Sequence, residues 1–220
     1  LNTIVVQDMI GNGTEDPEFW NAFDIKAIAP TQVPAHTDLT VEVYADGQWQ
    51  PLTTMSTGDT ADIFAMSSQA FASALAGKGD VTGIRFTFDS TQPGGYEQKQ
   101  TVRPALVFEA RGTLRAGKAP ATGELTFKNA AISNVAGKSP NDKDLSDSDR
   151  DTGDATIEWT EGGPGEGVSI VKKWNKTEVG ALTSEEAATR LSWRVGPGFD
   201  TVRISDAEDH GSNTANTVFD

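Results

Sequence analysis

The last stretch of the chain reads like its first. Residues 199–220 are FDTVRISDAEDHGSNTANTVFD and residues 1–24 are LNTIVVQDMIGNGTEDPEFWNAFD. Laid over one another, Thr3 falls on Thr201, Asp8 on Asp206 and Gly13 on Gly211, and after a two-residue gap Asp24 falls on Asp220. Each copy gives an alternating run that ends in Asp, then a polar loop, then Phe-Asp. A repeat constrains architecture more than composition does, because it marks one structural unit used again. It implies a slice of a tandem array, with ends that are cuts between units rather than natural termini.

Between the two copies the residues favour short strands joined by turns. Hydrophobic residues make up only 36% and glycine is frequent at 22 residues, which suits many strands better than packed helices. The formal net charge of −14 repels phosphate backbones and anionic lipid, so neither nucleic acid nor a membrane surface is an expected partner. No apolar run is long enough to insert into a bilayer. Cysteine is absent, which fits a bacterial exported protein better than a disulfide-stapled eukaryotic one.

Leu1–Asp8 alternates as a half-buried strand, with Ile4 and Val6 on one face. Phe19, Trp20 and Phe23 form a dense aromatic group suited to a core. Leu39–Tyr44 and Gln48–Leu52 flank Asp46-Gly47, a hairpin signal. Ala61–Ala76 has helical spacing at Ile63, Phe64, Phe71 and Leu75, and predicts the single helix. Val81–Asp89 is a strand with Ile84, Phe86 and Phe88 on one face, and Pro104 marks a strand start or edge. Residues 1–135 thus hold roughly seven strands, the number of an immunoglobulin-like sandwich. Residues 136–154 have almost no large apolar side chain, and GGPGEG follows at Gly162–Gly167, so 136–167 reads as an acidic, Gly-rich linker or long loop. Residues 168–220 then give a partial second β-sandwich repeat, with strands at Val168–Trp174 and Leu191–Val195. Unpaired sheet edges are sticky, so 168–195 is expected to complete the sheet of 1–135.

VSIVKKW, LSWRVGPGFDTVRISD and ARGTLRAGKAPATGELTFKNAAIS together resemble the conserved-repeat domains of Gram-positive, actinobacterial cell-surface adhesin proteins. The likeness covers about half the chain. Gly196-Pro197-Gly198 stands where such units carry Asn-Thr-Gly. The resemblance implies an immunoglobulin-like β-sandwich used as a stalk or spacer outside the cell, at the cell wall. Its partners would be neighbouring repeat units of the same protein.

Four groups of residues suggest chemistry. Asp147, Asp149, Asp151 and Glu158 stand at positions one, three, five and twelve of a calcium loop, although the glycine comes one place late at Gly153. Calcium there would stiffen a joint between units; the alternative is a solvated acidic linker. Trp49, at a hairpin, could stack on a sugar ring, which opens the alternative of a carbohydrate- or host-protein-binding module. Lys172 or Lys173, with Asn129, resembles the self-forming Lys–Asn amide crosslinks of Gram-positive pilins, with Asp24 or Glu109 as the assisting carboxyl and ordinary exposed lysines as the alternative. His36 and His210 lie in loops without metal spacing, no thiol nucleophile exists, and no motif marks an enzyme. An accessory domain of a secreted hydrolase is the remaining alternative.

Overall fold

In the computed structural model, Asp46 and Gly47 turn the chain with φ of 52° and 78°. Two successive left-handed residues make a two-residue hairpin turn whose twist matches its strands. The turn joins β3 (Thr37–Ala45) to β4 (Gln48–Ser56), the hairpin expected from the sequence. The structure describes residues 1–12, 16–96, 100–118, 123–138, 143–159, 169–173 and 193–194. The remaining strands are β1 (Thr3–Met9), β2 (Phe23–Val33), β5 (Asp62–Met66), β6 (Val81–Ser90), β7 (Ala105–Ala110), β8 (Gly123–Lys138), β9 (Asp144–Trp159), β10 (Ser169–Lys173) and β11 (Trp193–Arg194). Two short helices, α1 (Asp16–Ala22) and α2 (Ser68–Ala74), connect them.

The fold is all-β, and every strand pairing among the described residues is antiparallel. One sheet has the order β4-β3-β6-β1-β8-β9 and the other β11-β10-β7-β2-β5. Inward residues of both sheets share one apolar core, as in a sandwich. Along β1 the inward set is Ile4, Val6 and Asp8. Along β6 it includes Ile84, Phe86 and Phe88, the face that alternation predicts. Phe19 and Trp20 of α1 and Phe23 of β2 are buried, as their density suggests. β7 begins just after Pro104, so the proline costs the ladder nothing.

Two expectations are corrected. The single helix near 61–76 is a strand followed by a shorter helix. Asp62–Met66 is β5, which pairs along the edge of β2, and α2 starts at Ser68, where the Ala70 N–H donates to Ser67 Oγ at 3.2 Å. Phe64 and Phe71 are both buried, so they mimic one helical face while sitting on different elements. The second correction is the linker. Asp144–Trp159 is a sixteen-residue strand that follows β8 in unbroken register, from Lys138↔Asp144 to Gly123↔Trp159. Lack of apolar side chains there reflects a sheet edge, not irregular backbone. β9 is the last strand of its sheet, and only its far part, around Ala155 and Ile157, reaches the core.

Tyr96 ties the start of β1 to this frame. Its N–H donates to the Leu1 carbonyl at 2.5 Å and its hydroxyl donates to Thr37 Oγ1 at 3.1 Å. Burial pushes the phenol above its ordinary value; the Thr37 hydrogen bond opposes this, and Asp89 and Asp38 add to it. The folded phenol therefore keeps its proton where the unfolded one has lost it. Its contribution is complete below about pH 10 and falls away as pH rises through the folded value. Tyr96→Phe should flatten this alkaline loss of stability, read from urea midpoints between neutral pH and pH ~11. An unchanged alkaline slope would show that another group sets it.

Candidate functional site

The alternation that buries Ile4 and Val6 carries on to Asp8, so a carboxylate points into the core. Asp8 is 0% exposed and Asn129 of β8 is 2% exposed. Their strands are neighbours, with Asp8 opposite Ala131. Asn129 Nδ2 donates to Asp8 Oδ2 at 2.8 Å. Asn129 Oδ1 is buried with no hydrogen-bond partner among the described residues. Burying a carboxyl and a carboxamide side by side costs several kcal/mol unless both are well satisfied. This is the most deeply buried pair of bonded polar side chains among the described residues, and the repeat pattern places an Asp at the same point in its second copy, at Asp206.

Both crosslink candidates can be placed. Asn129 is half of the buried pair. Lys172 lies in β10 opposite Leu106 of β7, and Lys173 lies opposite Ala105. The carboxyls expected to assist are engaged elsewhere, which corrects that expectation. Asp24 accepts from Arg111 Nη1 at 2.8 Å and from Arg115 Nη2 at 2.5 Å, and Glu109 binds Lys26 at 2.6 Å; all of this is on partly exposed surface.

Arg115 anchors a second polar cluster that sequence reading missed. Its Nε donates to the Trp20 carbonyl at 2.5 Å, and its Nη2 donates to Val81 O at 2.9 Å and Phe23 O at 3.3 Å. Asp80 also contacts it. Burial pushes the guanidinium below its ordinary value, and Asp24 pulls it back up. The cluster closes one end of the core, where α1, β2 and β6 meet. Every one of these contacts is internal, so the cluster clamps that end of the core.

Asp147, Asp149 and Asp151 lie at alternate positions of β9, opposite Val135, Ser133 and Ala131, and Glu158 lies opposite Glu124. At ~3.3 Å per residue, eleven strand residues carry Glu158 about 36 Å from Asp147. The strand therefore does not gather the four around one cation, and the calcium-loop spacing is realised in a different conformation. The three Asp carboxylates each accept the N–H of the next residue, at 2.8, 2.9 and 3.0 Å. Among the described residues no group of three or more His, Cys, Asp or Glu side chains is arranged to hold a metal ion.

Trp49 stands opposite Tyr44 in the first hairpin, rings 5.3 Å apart and edge-on. The Arg85 guanidinium lies 4.4 Å from the Trp49 ring centre, and Arg85 is itself held by Glu42 at 2.5 and 2.8 Å. That ring face is already covered by a cation, a contact worth roughly 0.5–1 kcal/mol at an exposed site. His36 has its Nε2 3.7 Å from Asp59. His210 and the whole second copy, 199–220, lie outside the described residues, as does most of the partial second repeat. Comparison with family models, with curated proteins and with solved structures finds no match to this chain.

Proposed function

We propose that the chain is a structural module of a tandem array, an immunoglobulin-like sandwich that serves as a stalk or spacer in a bacterial cell-surface adhesin and catalyses nothing. The observation that carries this reading is the pairing of β10 with β7, five registered residue pairs from Ser169↔Glu109 to Lys173↔Ala105. A strand from beyond the Gly-rich segment fills a place in the sheet built by the first part of the chain. The sequence that follows it repeats the chain's opening. Together these support a reading in which units share strands across their boundary, and shared strands would turn a row of modules into a continuous rod. The acidic composition suits a solvated extracellular rod, and Asp24 and Arg85 are each paired within the chain, with Arg111 and with Glu42.

Strand sharing has a direct test. A chain ending at Trp159 should melt below the full chain, and a peptide of residues 168–195 added in excess should raise the melting temperature again. For a domain of this size each kcal/mol regained is about 2–4 °C. Equal melting points with no response to the peptide would remove the main support for the reading.

A further inference from the structure

Asn12 is followed by Gly13, and this is the only Asn-Gly pair in the sequence. In such a pair the glycine nitrogen can attack the asparagine side-chain carbon, because glycine has no Cβ to stand in the way. What the side chain does in the fold therefore decides when the reaction runs. Asn12 closes a turn in which its N–H donates to the Met9 carbonyl at 3.2 Å and Gly11 takes φ of 93°. Its Nδ2 donates to the carbonyls of Gln7 and Ala130, both at 3.3 Å. Its Oδ1 accepts from Gln7 Nε2 at 3.5 Å. One amide thus clasps β1 to β8 just past their last registered pair, Asp8 opposite Ala131. Gln7 and Ala130 are the chain neighbours of Asp8 and Asn129, so the clasp adjoins the buried pair.

We propose that Asn12 is a self-modifying, one-way latch: closed, its amide holds β1 to β8; opened, it cyclises onto Gly13 and becomes a carboxylate that cannot close again. In the closed clasp the amide is bound to Gln7 and Ala130, and it must leave them to turn onto its own backbone. Once it is free, the Gly13 nitrogen attacks Asn12 Cγ and the N–Cγ bond forms. That nitrogen gives its proton to solvent, Nδ2 takes one up, the Cγ–Nδ2 bond breaks and ammonia leaves. Water then opens the cyclic imide at either carbonyl and leaves aspartate or isoaspartate. Water is the single co-reactant, and nothing is oxidised or reduced. The new carboxylate accepts hydrogen bonds and donates none. It meets the carbonyl oxygens of Gln7 and Ala130, two acceptors, where the amide offered two donors. Those oxygens lose their partner, and the carboxylate repels them. A transient local opening is thereby fixed as a permanent one.

The full chain, aged in mildly alkaline buffer with and without urea and then digested, tests this. The peptide that carries residue 12 should grow heavier by the difference between water and ammonia, and chromatography should resolve its isoaspartate form. The change should be at least about tenfold slower in the folded chain than in urea, since only opened molecules react. Gly11→Ala has room for its methyl group but strains at φ of 93°, so it should open the turn and bring the folded rate toward the unfolded one. Gly13→Ala should suppress the reaction in urea. Asn12→Asp should lower the urea midpoint of the chain. If Asn12→Asp does not fold, aged wild type separated by charge into modified and unmodified chains gives the same comparison. A folded rate equal to the rate in urea overturns the latch. So does an Asn12 that stays intact in urea, or a modified chain with the urea midpoint of the fresh one.

Discussion

Replacing Arg115 with methionine should cost about 3 kcal/mol of stability, mostly from the backbone carbonyls that lose their donor, because its ionic partner Asp24 is partly exposed and solvent screens that pair. The guanidinium is only 12% exposed and holds Asp24 while donating to the backbone carbonyls of Trp20, Phe23 and Val81. Methionine fills most of the volume and makes none of these bonds. The carbonyls are left buried with fewer donors, and each such orphan costs roughly 1–3 kcal/mol. Lysine should rescue little, because one ammonium cannot reproduce a planar fork that reaches three elements at once. Arg111→Met is the matched control: Arg111 binds the same Asp24 from a more open position, so its loss should be about 1 kcal/mol or less. Urea denaturation of the three variants measures this. A loss at Arg115 no larger than at Arg111 would mean that the backbone contacts contribute nothing, and that the end of the core is closed by packing alone.

Much of this fold is legible in the residues, and the misses share one cause. Alternation at Ile4 and Val6, at Ile84, Phe86 and Phe88, and the Asp46-Gly47 turn each depend on neighbours in sequence, so they can be read there. What failed depends on neighbours in space. Phe64 and Phe71 keep helical spacing, but an open edge on β2 draws Asp62–Met66 into the sheet. An apolar run of that length cannot be told from a helix segment by period alone. Residues 144–154 look like a linker because an edge strand beyond the core needs no apolar face. Charge along such an edge also resists pairing with a foreign strand, and alternate aspartates are one way to supply it.

The candidate sites follow the same division. The spacing of Asp147, Asp149, Asp151 and Glu158 is that of a calcium loop only if the backbone curls, and in β9 it is extended. Asn129 was legible as a candidate, but its partner was not. Yet the signal was present: a strand that buries Ile4 and Val6 must also bury the next residue of that face, Asp8, and a charge there needs a reason. Arg115 left no such trace, because its acceptors are backbone carbonyls, which every sequence has.

The second large effect is at Phe108. Its ring lies at the centre of the aromatic group, 5.0 Å from Phe19 and 5.8 Å from Trp20, edge-to-face with both. It sits on β7 between Ile25 of β2 and Ile170 of β10 in register, so one side chain joins helix α1 to the middle of a sheet. Phe108→Ala should cost about 3–5 kcal/mol, from lost transfer energy and a cavity that strands on both sides keep from collapsing. The two edge-to-face pairs add roughly 0.5–1.5 kcal/mol each beyond area burial, which puts the result toward the upper end. Phe108→Leu should recover much of the loss, since it refills most of the space. Ile63→Ala, at a site 55% exposed on β5, should change stability by less than about 0.5 kcal/mol. The urea midpoint should shift while its slope stays constant, because a change in slope would signal a looser native or denatured state instead. A Phe108→Ala loss under about 1.5 kcal/mol would mean that α1 does not pack on β7, and the placement of Phe19 and Trp20 in the core would fall with it.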